Sequence, residues 1–181
     1  MSYTNSVVSY CIYGNIAKYF PILLQNIGIL KELSFHIIIF CERKDKEEIE
    51  KVFPDVSVMV GEKFGIKNKM LWRLNPMFMD IASAFFVRDA DSLITIREIF
   101  FMKQFLNSDK EFHIIRDHPL HFMPIMGGLF GLKSTLYKRL TTKNIFMIGE
   151  QLSLLYSAEG YCPLESLILA TPEMVTNKSF N

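Results

Sequence analysis

Short apolar runs alternate with amphipathic stretches along most of this chain, and that alternation sets the expected elements. Residues 7–13 are rich in β-branched and aromatic side chains and stop at Gly14-Asn15, a turn signal. A helical pattern over 17–33 follows, with Pro21 tolerable only near its first turn. Residues 35–40 form a continuous apolar run, as in a strand buried on both faces. A short charged helix over 44–51 carries Lys46–Glu50 and Glu47–Lys51 spacings, read as a solvated face. A third strand is expected at 56–60 and a helix over 65–74, ending before Asn75-Pro76. A strand over 85–88 and a helix over 96–106 complete the regular part.

Strand and helix in alternation predict an α/β fold with a largely parallel sheet, as in nucleotide-binding folds. Beyond residue 110 the rhythm changes. Two strand-like runs, 112–116 and 125–132, are joined by the proline-bracketed loop 117–124. That loop is too short for a crossover helix, so the pair should run antiparallel or form a mixed edge. Residues 148–157 look helical and the rest is weakly patterned. The expected organisation is one domain over 1–181, with a nucleotide-binding half over about 1–95 and an acceptor half over about 96–181.

A 50% hydrophobic share with 22% charged residues supplies a sizeable core, made aromatic by sixteen Phe and seven Tyr. A net charge of +1 gives no electrostatic case for nucleic acid. Cys11, Cys41 and Cys162 lack CxxC spacing and read as buried free thiols in a reducing compartment. The first residues lack the basic and apolar regions of a signal peptide. No apolar run approaches the roughly 20 residues that span a bilayer. These features predict a cytoplasmic protein without a transmembrane segment.

Chemistry concentrates where the 85–88 strand ends. Asp89 and Asp91 are spaced i, i+2, so in extended chain both project to one side and can converge on one cation or phosphate. The carboxyl ends of strands are where ligands bind in open α/β sheets. Oxygen-only ligands favour Mg²⁺ or Mn²⁺ over zinc. The plainer alternative is a strand-end turn in which Asp91-Ser92 caps the next helix.

Asp117, His118 and His121 lie together around a rigid proline, groups able to carry protons or bind metal. His113, on an apolar strand, reads as a core histidine. Gly127-Gly128 inside a strand pattern marks a bulge, a close approach of backbone to ligand, or a tight bend.

Several segments occur in order: Tyr10-Cys11-Ile12-Tyr13-Gly14, Met70-Leu71-Trp72-Arg73-Leu74, Phe86-Val87-Arg88-Asp89-Ala90-Asp91-Ser92 and Arg97-Glu98. They are followed by Phe112-His113-Ile114-Ile115-Arg116-Asp117-His118-Pro119-x-His121 and Ile125-Met126-Gly127-Gly128-x-Phe130-Gly131. Together they resemble a family of GT-A-fold glycosyltransferases of large algal DNA viruses and some bacteria, over roughly residues 7–155. The resemblance implies a Rossmann-like nucleotide half, a mixed central sheet flanked by helices, and a DxD element made by Asp89 and Asp91. It also implies that Asp91 ligates Mn²⁺ or Mg²⁺ while Asp89 touches the ribose or a metal-bound water. Tyr13 and Gly14 would face the nucleoside of a UDP- or GDP-sugar, and Arg73 would reach the nucleotide or sugar. Gly127 and Gly128 would let the donor sugar pass close to the backbone. Glu150-Gln151 stands where the family tends to carry Asp-Gln, on the acceptor side with His121. A viral origin would make the compartment the host cytoplasm.

The implied reaction is metal-dependent transfer of a hexosyl or deoxyhexosyl group to a hydroxyl of a glycan or glycoprotein. An inverting enzyme needs a base for the acceptor hydroxyl, with Asp117 first and His118 or His121 next. A retaining enzyme would use the same residues to position the acceptor. Hydrophobic-DxDS also resembles the nucleophile motif of haloacid-dehalogenase-like phosphohydrolases, with Asp89 as nucleophile. That family's motif lies early in the chain and is followed by an acidic pair, which this chain lacks. A non-catalytic nucleotide-sugar-binding domain is the third reading.

Overall fold

The computed structural model describes residues 6–79, 81–115 and 128–139. Its centre is a six-stranded sheet made of β1 (Ser6–Cys11), β2 (His36–Cys41), β3 (Ser57–Val60), β4 (Ala84–Arg88), β5 (Phe112–Ile114) and β6 (Leu129–Lys133). The spatial order is β3-β2-β1-β4-β6-β5. The β1–β2, β1–β4 and β2–β3 pairs are parallel, whereas β6 runs antiparallel to both β4 and β5. The parallel strands and the mixed edge expected from the pattern are both present.

Among the described residues four α-helices accompany the sheet: α1 (Phe20–Glu32), α2 (Lys46–Val52), α3 (Ile96–Leu106) and α4 (Ser134–Arg139). A 3-10 turn over Ile16–Tyr19 precedes α1, and Pro21 sits in the first α-turn, where its missing N–H costs nothing. On α1 the buried positions Leu23, Ile27 and Leu30 keep helical spacing, with Asn26 buried among them. Lys46–Glu50 forms at 2.8 Å, whereas Glu47–Lys51 makes no ion pair.

Alternation along β1 and β4 sorts the core into two layers. Val8, Tyr10 and Ile12 share one side with Phe86, α1, α2 and α3. Val7, Cys11, Phe85 and Val87 face the other side, against Leu71, Trp72, Leu74, Phe130 and Leu132.

That second layer corrects the helix expected over 65–74. Gly65 instead closes a 3-10 turn, Gly61–Phe64, in the left-handed conformation (φ 73°). A 3-10 helix then runs over Lys69–Phe78, straight through Pro76. Asn68 caps it by accepting from the Met70 amide at 3.0 Å. The Trp72 indole donates to the Ile66 carbonyl at 2.8 Å and lies flat on Gly61, where any Cβ would meet the ring. Tryptophan burial, which helical periodicity does not register, draws this segment tight against the sheet.

β1 also ends two residues earlier than expected, at Cys11, although the Ile12 amide still bonds the Phe40 carbonyl at 2.9 Å. α4 was not anticipated from the pattern. The helix expected over 148–157, Cys162, and the 116 and 125–127 ends of the last two strands lie outside the described residues.

Candidate functional site

In this topology the chain order reverses between β1 and β4: β2 and β3 lie on one side of β1, β4 on the other. Their carboxyl ends therefore border a crevice of the kind that takes ligands in open α/β sheets. Gly14 follows β1 there in the left-handed conformation (φ 74°), and its amide donates to Glu42 Oε2 at 3.3 Å. Asp89 and Asp91 follow β4. Extending the β1–β4 register by two places brings Cys11 level with Asp89.

The two aspartates have different surroundings. Asp89 continues the alternation of Phe85 and Val87, so its side chain turns toward the 3-10 helix, where Arg73 Nη1 donates to Asp89 Oδ1. The Arg73 side chain is 6% exposed and that of Asp89 44%, so the guanidinium is the buried partner. On the other side, a Cβ at Gly128 would stand 2.0 Å from Asp89 Oδ2. Asp89 itself thus makes the close approach at the second glycine. Asp91 is exposed, and among the described residues it has no hydrogen-bond or ion-pair partner. It does not cap the following helix either. Thr95 takes that position, with Glu98 completing a capping box.

Tyr13 is half-buried beside this pair. Burial first, then the neighbouring Cys11 and Tyr19, pushes its phenol up, with Arg73 and Asp89 acting on it in opposite senses. The Cys11 thiol is pushed by burial to about 11, and its Sγ reaches the Met70 carbonyl at 3.5 Å. Burial also pushes the Cys41 thiol to about 12. Both are free thiols, neutral at ordinary pH.

At the rim, Glu42 accepts from Lys69 Nζ at 2.6 Å as well as from Gly14. Its carboxyl is held below the usual range, mainly by the Lys69 hydrogen bond.

Six expected site residues are therefore gathered at one sheet edge: Tyr13, Gly14, Arg73, Asp89, Asp91 and Gly128. Asp117, His118, His121, Gly127, Glu150 and Gln151 lie outside the described residues. His113 is a core histidine, stacked on Phe105 at 5.1 Å and edge-on to Phe86 at 5.8 Å.

Other residues at this edge carried no local signal. Asn26 Nδ2 donates to the Ser92 carbonyl at 2.9 Å, and Asn26 Oδ1 accepts from the Ile94 amide at 2.8 Å. Buried Arg88 is ion-paired to buried Glu98. Asn26 shows in sequence only as a polar residue inside an apolar stripe, and Arg88 and Glu98 stand in two of the segments quoted above without a role that the spacing assigns them.

Among the described residues no three His, Cys, Asp or Glu side chains cluster. Two carboxylates, one of them free, suit a hard cation that keeps most of its waters and shares a substrate phosphate. They do not suit an all-protein cage.

No protein-family model matches this sequence, and no curated protein matches it. Solved structures do. The mannosyltransferase PcManGT from Pyrobaculum calidifontis, in complex with GDP-Man and Mn²⁺, superposes with a TM-score of 0.53 at 14% identity. The match covers 75% of this chain and 46% of that one, so this chain spans under half of its length. A 4-diphosphocytidyl-2C-methyl-D-erythritol synthase from Anaerococcus prevotii matches at 12% identity and a TM-score of 0.47, over 94% of this chain and 81% of that one. The first likeness establishes the fold: an α/β, GT-A-like arrangement with a mixed sheet flanked by helices. Among the described residues no helix is long and apolar enough to cross a membrane.

Proposed function

We propose that this chain is a metal-dependent glycosyltransferase that moves a sugar from a nucleoside-diphosphate sugar to a hydroxyl of a glycan or glycoprotein. The observation that carries the reading is the asymmetry of the aspartate pair at the switch point. Asp89 is neutralised by Arg73 under Gly128, and Asp91 is left exposed. Asp91 would hold a Mn²⁺ or Mg²⁺ ion, with Asp89 contributing through the ribose or a bound water. Such an ion supplies Lewis-acid stabilisation to the negative charge that builds on the departing diphosphate.

This chain's residues supply the positioning. Tyr13 and the main chain at Gly14 face the nucleoside, and buried Arg73 keeps a fixed positive charge beside the diphosphate. Gly127 would let the donor sugar pass close to the backbone, and Gly128 makes room for the Asp89 carboxylate that faces it.

Acceptor chemistry falls to residues in or beyond the segment 116–127. The flanks of that segment support the assignment. The Ile115 amide bonds the Leu129 carbonyl at 2.9 Å, Leu129 pairs with Arg88, and Gly128 touches Asp89. The described flanks, Ile115 and Gly128-Leu129, thus stand together at the end of β4, with Gly128 against Asp89. Asp117, then His118 or His121, would take the acceptor's proton if configuration inverts and orient the acceptor if it is retained. Glu150 and Gln151 would line the acceptor side.

An Asp89 committed to a buried guanidinium is a poor nucleophile for phosphorus, which weighs against the phosphohydrolase reading.

Calorimetric titration of UDP- and GDP-sugars with and without Mn²⁺, followed by an assay for slow donor hydrolysis, tests the proposal. Metal-dependent binding should weaken at least about tenfold in Asp91→Ala. Binding indifferent to both metal and Asp91 would overturn it. Phosphate release from simple phosphomonoesters would favour the hydrolase, and binding with neither hydrolysis nor transfer the non-catalytic domain.

A further inference from the structure

Arg88 closes β4 one residue before Asp89, and strand alternation sends its side chain to the opposite face, into the layer of α1 and α3. There its Nη1 pairs with Glu98 Oε1, the two side chains being 4% and 5% exposed. The same Nη1 lies 3.5 Å from the Gly128 carbonyl. Glu98 Oε2 accepts from the Thr95 amide at 2.6 Å, and the Glu98 amide donates to Thr95 Oγ1 at 3.2 Å. One carboxylate therefore joins the end of β4, the first turn of α3 and, through Arg88, the entrance to β6. The loop 89–95, which contains both aspartates, leads into the first turn of α3 and is closed at its neck by this ion pair. Asn26 fastens the middle of that loop to α1.

Stability alone does not account for such a pair. Removing two charges from water is costly, and replacing a buried pair with apolar residues is often neutral or stabilising. The layer around the pair is largely apolar, with Phe86, Ala90, Ile94 and Met102 in it, and the buried Tyr10 phenol stands beside the two charges. What apolar side chains could not do is fix direction: the guanidinium and the carboxylate, paired with each other, each bond one backbone group at a set angle, the Gly128 carbonyl and the Thr95 amide.

We infer that Arg88 and Glu98 are positioning residues that hold the Asp89–Asp91 turn in register with Gly128, so that the aspartates meet metal and diphosphate in a preset geometry. This rests on the reading of Asp89 and Asp91 as the diphosphate clamp. Neither Arg88 nor Glu98 touches the ligand; they act through the turn.

The test is the double variant Arg88→Met/Glu98→Gln, in which Met replaces the arginine stem and Gln keeps an acceptor for the Thr95 amide. Wild type, the double variant and Asp91→Ala are compared by amide exchange over 91–94 and by titration of GDP and UDP with and without Mn²⁺. The double variant should keep its melting temperature within a few degrees. Its exchange over 91–94 should accelerate at least about tenfold, and its Mn²⁺-dependent affinity should fall about tenfold. Metal-free nucleotide affinity should stay unchanged, a split that general loosening of the fold would not produce. Wild-type exchange and wild-type Mn²⁺ dependence in the double variant would overturn the inference. So would faster exchange with unaltered Mn²⁺-dependent binding.

If the double variant does not fold, Glu98→Asp keeps the charge and withdraws it by one methylene. It should give a smaller loss in the same two readouts, and no loss in either would again overturn the inference. Where wild type and Asp91→Ala bind nucleotide alike, the glycosyltransferase reading fails. The exchange comparison then decides alone whether the pair holds the turn.

Discussion

A Cβ built on Gly128 would stand 2.0 Å from Asp89 Oδ2 and 2.8 Å from the Asp89 amide nitrogen. Neither atom can retreat freely, because the carboxylate is held by Arg73 and the amide directly follows the end of β4. Gly128→Ala should therefore destabilise the protein by about 1–3 kcal/mol, the usual cost of overpacking a filled site. Urea unfolding measures that cost, and nucleotide titration with Mn²⁺ should show weakened binding in the same variant. His113 yields a residue-scale prediction of another kind. Desolvation lowers its pKa to about 4, and among the described residues its buried Nε2 has no hydrogen-bond partner. The unfolded chain binds this proton at higher pH than the folded one, so stability is complete above about 6.5 and falls as pH drops toward about 4. Because the ring is only partly buried, the loss at pH 5 should be about 1 kcal/mol. Comparing urea midpoints at pH 7 and pH 5 checks this, and His113→Phe should remove that share of the pH dependence.

Among the elements, α1 does more than cover the sheet. Its apolar stripe of Leu23, Ile27 and Leu30 docks it, while Asn26 reaches the loop after β4 with both ends of its amide. Asn26→Ala leaves the Ile94 amide and the Ser92 carbonyl without that partner and opens a small void. The expected cost is about 2–4 kcal/mol, read from urea midpoints. Thr95→Ala, which removes only the cap oxygen of α3, should cost about 1 kcal/mol in the same measurement and makes the natural control. The elements also differ in how far their sequence reveals them. β2 and β4 are near-continuous apolar runs because both faces are covered, so their position is evident from composition. The segment Lys69–Phe78 is not, since its 3-10 form depends on where Trp72 is buried and not on its own periodicity.

For the whole molecule, local pattern was enough to specify an α/β sheet, the change to an antiparallel edge after residue 110, and a carboxylate pair at a strand end. Each of these depends on near neighbours in sequence: apolar runs mark strands, a short loop forbids a parallel crossover, and i, i+2 spacing aligns two side chains. Pattern could not specify partners for polar groups far apart along the chain. Asn26 and Ile94, Arg73 and Asp89, and Gly128 and Asp89 meet only because β1 lies beside β4 and β4 beside β6. The sequence by itself thus determined that Asp89 and Asp91 stand together after a buried strand. Only the tertiary structure decided that they differ, Asp89 half-exposed and held between Arg73 and Gly128, Asp91 open to solvent. The physical reason is that a side chain's direction follows from its own strand, whereas its burial and its counter-charge come from neighbouring strands and the layers packed upon them.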